Sequence, residues 1–226
     1  MVVAGGTGSR FGSQKQFLDL DGRSVVAWSI AAARTVAEGI VVVVPDPSTT
    51  SAPTVSADDM GVDQVVTGGA TRSLSVRAGL AAVPMEASVI IIHDACRPLA
   101  SASLFASVVQ ALTGDGADVT PGSHGADGVI PVLPVADTLK QVVGGKVSST
   151  LDREGIVSVQ TPQAFVAATL RAAHAGGGEA TDDAGLLESL GATVRTVPGE
   201  PRNFKLTHPE DLAVASALIQ SDRAAR

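Results

Sequence analysis

Short runs of β-branched and aliphatic residues alternate with longer helical patterns along this chain. That alternation restricts its fold more than any other feature. Val2-Val3, residues 40–44, Val65-Val66 and residues 89–92 are continuous apolar runs too short for helices. Between them lie a Ser24-capped amphipathic stretch reaching about Thr35 and a second helical stretch from about Thr71 to Ala82. Strands that are apolar on both sides and separated by helices predict an α/β fold, with a mostly parallel, doubly wound sheet covered by helices on both faces. Ligands of such sheets sit at the carboxyl ends of the strands. The residues that follow each apolar run are therefore the first candidates for chemistry.

The first run passes directly into Ala4-Gly5-Gly6-Thr7-Gly8-Ser9-Arg10, and Lys15-Gln16-Phe17 follows. Glycines let backbone N–H groups close on phosphate oxygens, because no Cβ intervenes and positive φ is allowed. Arg10 and Lys15 can then neutralise a polyphosphate held in the turn. The stretch lacks the Gly-Lys-Ser/Thr of a Walker A loop. Gly12 comes one residue too late for the dinucleotide fingerprint, and residues 12–15 read as loop rather than as the start of an apolar helix. An ordinary strand-to-loop turn is the plain alternative; the paired cations favour a phosphate site.

Composition narrows the partners. At 226 residues and 45% apolar content the chain can bury one sizeable core, and no Pro/Ser-rich or charged linker divides it, so residues 1–226 are expected to form a single domain. A net charge of −7 excludes a general polyanion-binding surface, and 3% aromatic content without tyrosine argues against base-stacking platforms, so no nucleic-acid partner is expected. Phosphate binding must be local. The lone Cys96 rules out an internal disulfide or a cysteine zinc cage. Apolar runs are too short to span a bilayer and no basic and apolar leader pattern opens the chain, which points to the cytoplasm without a membrane partner.

The second half has a different texture. A helix over about 101–112 precedes strands at 128–135 and 156–159, and the polar, glycine-containing segment between them predicts a projecting β-arm over about 136–159. Residues 163–175 read as helix, Gly176-Gly177-Gly178 as a breaker, and Thr181 as the cap of a helix ending near Leu190. A strand at 193–197 and a Thr207–Glu210 capping box opening a final helix to about Ser221 complete the pattern. His93-Asp94 lies where a buried strand ends; there Asp94 is either a chemical group or a turn cap paired with Arg97. Asp137-Thr138 and Asp152-Arg153 read alone as solvated arm residues, and Thr161-Pro162 and Thr181-Asp182-Asp183 as helix starts. Lys205 lies in the short apolar strand Phe204-Lys205-Leu206, where an inward lysine is unusual, which favours a ligand anion as its partner. His124, His174 and His208 lack metal-ligand spacing and suit solvent or cap roles, and no protein metal site is expected. No serine–histidine pair or paired carboxylates emerge. That absence fits a nucleotidyl transfer whose acceptor is already an anionic phosphate, with Mg²⁺ carried on the triphosphate by substrate oxygens and water.

Taken in order, Ala4–Arg10, Lys15-Gln16-Phe17, Gly68-Gly69 with Ser75, His93–Pro98, Pro134–Thr138, Asp152-Arg153, Gln160–Gln163, Ala180–Asp183 and Asn203–Lys205 resemble the 2-C-methyl-D-erythritol 4-phosphate cytidylyltransferase family across essentially the whole chain. The resemblance implies a Rossmann-like α/β fold with a projecting arm, and transfer of CMP from CTP to the sugar phosphate with release of pyrophosphate. It implies Arg10 and Lys15 as transition-state stabilisers, and Ala4, Gly5, Gly6, Gly69 and Ser75 as nucleotide-binding groups. Asp94, Thr161 and Thr181 would contact the acceptor, and Arg153 and Lys205 would position its phosphate. A homodimer with exchanged arms would lend Thr138 and Arg153 to the neighbouring site.

The chain departs from the family pattern at several points. Its first strand is short, the Arg10–Lys15 loop is shortened with Gln14 in place of a proline, Ala70 replaces a common acid, and Cys96 replaces an alanine. The shortened loop makes the reach of Lys15 a question for the tertiary structure. Two other readings share part of the pattern: a ribitol 5-phosphate cytidylyltransferase, and a catalytically idle nucleotide-binding protein.

Overall fold

The structure, a computed structural model, describes residues 1–6, 11, 13–114, 120–122 and 125–225. In chain order the elements are β1 (Val2–Val3), a 3₁₀ turn (Lys15–Phe17), β2 (Asp19–Leu20), β3 (Arg23–Ser24), α1 (Val25–Ala33), β4 (Val41–Val44), α2 (Ala57–Met60), β5 (Gln64–Thr67), α3 (Arg72–Ala82), β6 (Val89–Asp94) and α4 (Ala102–Thr113). There follow β7 (Gly128–Pro134), β8 (Lys140–Val143), β9 (Lys146–Thr150), β10 (Val157–Val159), β11 (Gln163–Val166), α5 (Ala167–Ala175), α6 (Asp183–Ser189), β12 (Val194–Pro198) and α7 (Glu210–Ala224).

The main sheet runs β10-β7-β11-β6-β1-β4-β5, with β12 also on β7. β6, β1, β4 and β5 are mutually parallel, in the register Val2↔Val42 and Val2↔His93. This is the parallel half that the apolar runs predict: all four valines of β4 are buried, as a strand covered on both faces must be. On one face Val76 of α3, Leu170 of α5 and Leu187 of α6 pack with Ile92 and Phe165. On the other, Val26 and Ile30 of α1 and Phe105 of α4 pack with Val42 and Val44. The expected arm is present as the β8–β9 hairpin, turning through Gly144 and Gly145 at φ of 56° and 77°, the left-handed pair that a two-residue hairpin requires.

Local expectation fails where tertiary pairing decides. Residues 163–166, read from the sequence as the start of a helix, form β11, antiparallel to both β6 and β7. A helix there would leave the facing edges of β6 and β7 unpaired in the interior. The cost of burying Phe165 is met by Gly128, where a Cβ would stand 2.8 Å from the ring. The cap of α6 is Asp182, which accepts from the Gly185 N–H at 3.1 Å, and not Thr181. Ser24 occupies the first cap position of α1 without a side-chain cap bond. The final helix runs three residues beyond the predicted end, and Asp211 rather than a Thr207–Glu210 box accepts from the Thr207 and His208 N–H groups. Residues 204–206 belong to no strand, and the Leu206 N–H donates to the Cys96 carbonyl at 2.8 Å.

Phe165 is fully buried between the two halves of the sheet. Phe165→Ala should lower unfolding stability by about 3–5 kcal/mol, the usual cost of emptying an aromatic core site. Urea denaturation followed by circular dichroism checks this, and a loss below about 1 kcal/mol would remove β11 from its central place.

Candidate active site

Because β1, β4, β5 and β6 are parallel, their carboxyl ends open on one edge. Ala4, Gly5 and Gly6 follow β1, Pro45, Asp46, Thr49 and Thr50 follow β4, Gly68 to Arg72 follow β5, and Asp94 and Cys96 close β6. With Lys15, Gln16, Ser75 and Lys205 they line a cavity of about 600 Å³, a size suited to a small-molecule site.

Two side chains shape the glycine-lined end of this cavity. Gln16, buried, donates from Nε2 to the carbonyls of Ala4 (2.8 Å) and Gly6 (3.0 Å), which pins the glycine turn to the 3₁₀ turn carrying Lys15. The shortened loop thus still brings Lys15 to the cavity, its Nζ 5.5 Å from the Phe11 ring centroid. Ser75 Oγ accepts from the Gly69 N–H at 3.1 Å and donates to the Gly69 carbonyl at 3.2 Å. A Cβ at Gly68 would lie 2.6 Å from Ser75 Oγ, and one at Gly69 2.4 Å from Leu74 Cβ, so the paired glycines follow from this close approach.

Charge concentrates at the other end. Asp94 Oδ2 pairs with Lys205 Nζ at 2.7 Å, and its Oδ1 lies 3.6 Å from Arg72 Nε. Burial alone would raise the Asp94 carboxyl pKa, but Lys205 and Arg72 outweigh it and hold the group well below the usual carboxylate range. Lys205, expected to face a ligand anion, is thus paired in the folded chain with the protein carboxylate of Asp94. Arg97 makes its hydrogen bonds elsewhere, donating to the carbonyls of Asn203 (2.7 Å) and Val159 (3.3 Å). Buried Gln160 accepts from Glu200 N (3.0 Å) and Asn203 Nδ2 (3.2 Å), and Asn203 donates to the Thr161 carbonyl at 2.9 Å. This clamp fixes residues 200–203 and so sets Lys205 opposite Asp94. Burial pushes the Cys96 thiol up to about 11, so Cys96 acts as a small apolar wall.

Beneath Asp94 runs a chain of hydrogen bonds. The Asp94 N–H donates to Thr161 Oγ1 at 3.0 Å, Thr161 Oγ1 meets His93 Nδ1 at 3.1 Å, and His93 Nε2 meets the Arg97 carbonyl at 3.2 Å. A carbonyl only accepts, so Nε2 carries a proton. Burial lowers the His93 pKa to about 4, so the ring is neutral at pH 7, with Nε2 protonated towards the Arg97 carbonyl and Nδ1 accepting from the Thr161 hydroxyl.

Among the sequence-predicted residues, Ala4, Gly5, Gly6, Lys15, Gly69, Ser75, Asp94 and Lys205 share the cavity. Thr161 is buried below it. Thr138 and Arg153 are exposed on the arm, Arg153 donating to the Ala136 carbonyl, and Thr181 is exposed just before α6. None of these four lines the cavity of the single chain. Arg10 and His124 lie outside the described residues. Sequence reading missed Gln16, Arg72 and the 45–50 loop; Gln16 sits inside a motif already recognised, and Arg72 three residues from Ser75. His174, read as a solvent or cap residue, is instead buried against Asp183. Among the described residues no group of three or more His, Cys, Asp or Glu side chains could hold a metal. Both carboxylates lining the cavity, Asp46 and Asp94, already have partners of their own.

A glycine-walled cavity with cations, set at the carboxyl edge of a parallel sheet, marks an α/β protein of the nucleotide-binding class. Comparison with known proteins narrows this class. The family model for IspD, 2-C-methyl-D-erythritol 4-phosphate cytidylyltransferase, matches residues 1–221, and the chain belongs to that family. The 2-C-methyl-D-erythritol 4-phosphate cytidylyltransferase of Rhodococcus jostii is 42% identical over 97% of this chain and 94% of its own length. A bifunctional IspD/IspF enzyme of Solidesulfovibrio magneticus is 41% identical over 94% of this chain, which spans 55% of that relative's length. In structure, the Thermus thermophilus cytidylyltransferase superposes with a TM-score of 0.77 at 34% identity, covering 97% of each chain.

The His93 imidazole should stay neutral from pH 8 down to about 4. Its folded pKa is lower than the unfolded value of about 6.5, so the stability it contributes is complete above 6.5 and is lost as pH falls through the folded value. A nitrogen-detected NMR titration measures this, and ionisation near 6.5 would be inconsistent with an imidazole whose pKa is lowered by burial.

Proposed function

We propose that this protein transfers CMP from CTP to 2-C-methyl-D-erythritol 4-phosphate and releases pyrophosphate. The observation that carries this reading is the meeting, in one cavity, of the Gly5-Gly6 turn, Lys15 and the Asp94–Lys205 pair. In the reaction a phosphate oxygen of the acceptor bonds to the α-phosphorus of CTP as the bridging bond to the β-phosphate breaks. The acceptor oxygen is already ionised at neutral pH, so no general base is needed. What the chain supplies is positive charge and position. Lys15, with Arg10, would neutralise charge building on the departing pyrophosphate. Backbone groups at Ala4, Gly5, Gly6 and Gly69, the last oriented by Ser75, would hold the nucleotide. With Ala70 lacking an acid, base recognition would rest on those backbone groups. Lys205 would exchange its Asp94 partner for the acceptor, and Thr161 would act through the Asp94 main chain. Mg²⁺, carried on the triphosphate oxygens, would supply further positive charge. Both substrates are small, charged metabolites, which is the support for a cytoplasmic site of action.

A second subunit would complete the site. Val142, Val143 and Val147 on the arm, and Val157 and Val159 beside it, are more than a third exposed. An apolar arm of this kind invites cover, and a partner's cavity would gain Thr138 and Arg153 from it, with Thr181 at the rim.

The direct test is pyrophosphate release across four nucleoside triphosphates, each with methylerythritol phosphate and with ribitol 5-phosphate. Turnover is expected with CTP and the former; activity only with ribitol 5-phosphate would favour that alternative. Lys15→Ala should lower kcat by roughly 10²-fold or more while leaving the KM for CTP within a few-fold. Arm exchange has its own readout: mixed Lys15→Ala and Arg153→Ala subunits should regain roughly a quarter of wild-type activity, because a mixed pair carries one intact site. No recovery after subunit exchange would confine each site to one chain.

A further inference from the structure

One chain of charge leaves the cavity for the interior. Arg72, the first residue of α3, lines the cavity beside Gly69 and Ser75 and pairs through NH2 with Asp183 Oδ2 at 2.8 Å. The Asp183 side chain is 1% exposed. Its other oxygen accepts from His174 Nε2 at 3.0 Å, and His174 is 3% exposed, with no partner at Nδ1 among the described residues. The order from interior to cavity is His174, Asp183, Arg72, Asp94, Lys205. A buried carboxylate is retained only when its partners are well placed, and removing one leaves the other uncompensated.

The placement of Arg72 is unfavourable without this support. A cation in the first turn of a helix opposes the helix dipole, and Asp94, 3.6 Å from Nε, competes for the same guanidinium. Freed from Asp183, Arg72 would close on Asp94 and contest it with Lys205. Held by Asp183, it stays between the glycine turn and the Asp94–Lys205 pair, with N–H donors that no side chain or carbonyl among the described residues takes up. Arg77 and Thr71 reinforce the arrangement: Arg77 Nε donates to the His174 carbonyl at 3.2 Å, and Thr71 Oγ1 to Glu179 at 3.0 Å, which ties the start of α3 to the segment after α5.

We propose that Asp183, backed by His174, is a positioning residue that fixes Arg72 as a binding contact to the nucleoside triphosphate. The inference rests on the CTP reading given above. Arg72→Ala and Asp183→Asn should each raise the KM for CTP by roughly tenfold, with a smaller change in kcat. The double variant should be no worse than Arg72→Ala alone, because Asp183 acts through the guanidinium. Arg72→Lys should not restore the KM, since an ammonium cannot meet Asp183, Asp94 and substrate together. His174→Gln, which keeps a donor toward Asp183, should raise the KM by roughly threefold or less, and it takes the place of Asp183→Asn in the cycle if that variant does not fold. Effects that multiply in the double variant, or a folded Asp183→Asn with the wild-type KM, overturn the proposal. Calorimetric titration of CTP into the same proteins separates the two claims. Wild-type protein that binds CTP but transfers nothing refutes the proposed activity while the binding cycle still decides the Asp183 role, and protein that does not bind CTP refutes both.

Discussion

Three parallel strands with a common carboxyl edge organise everything that follows. β1 pairs on one side with β4 and on the other with β6, in register at Val2, Val42 and His93. The glycine turn, the Pro45-Asp46 loop and the Asp94–Cys96 turn consequently leave the sheet at one level and face one another across the cavity. Burial of these strands on both faces holds that level fixed, since a shift of register by one residue would invert every side chain between the two cores.

On that edge the site is built from backbone and a few charges rather than from an acid–base pair. Glycines admit the close approaches at Gly68 and Gly69, and Gln16 joins the glycine turn to the lysine-bearing one. Asp94 lies between Lys205 and Arg72 and stays ionised because both cations outweigh the cost of its burial. In a protein of net charge −7 such a cluster is local, which confines polyanion binding to the cavity. The neutral His93 chain below it serves a different end: it orients the Asp94 backbone without adding charge.

The parallel half of the sheet was legible because its strands are continuous apolar runs separated by helical patterns. The β8–β9 arm was legible through Gly144-Gly145 and its polar flanks. β11 was not. Ala164, Phe165 and Val166 suit a buried helix as well as a buried strand, and only the open edges of β6 and β7 select the strand. The same holds within the site. Lys15, Asp94 and Lys205 announce themselves by type and position, whereas the role of Gln16 depends on a contact twelve residues back along the chain. The pairing of His174 with Asp183 and Arg72 joins residues of three helices, and no spacing rule reports it.

Sequence by itself determined the class of fold, the phosphate-oriented turn and the residue types that could bear charge, because glycine freedom, strand hydrophobicity and helix capping act over a few neighbouring residues. Tertiary structure decided which of those charges meet: that Asp94 pairs with Lys205 and Arg72 rather than Arg97, that Asp183 is buried behind them, and that Thr138, Arg153 and Thr181 lie away from the cavity of their own chain. Coulombic and hydrogen-bond partners are chosen by distance in the folded molecule, and residues 94 and 205 become neighbours only when the sheet and its loops have closed.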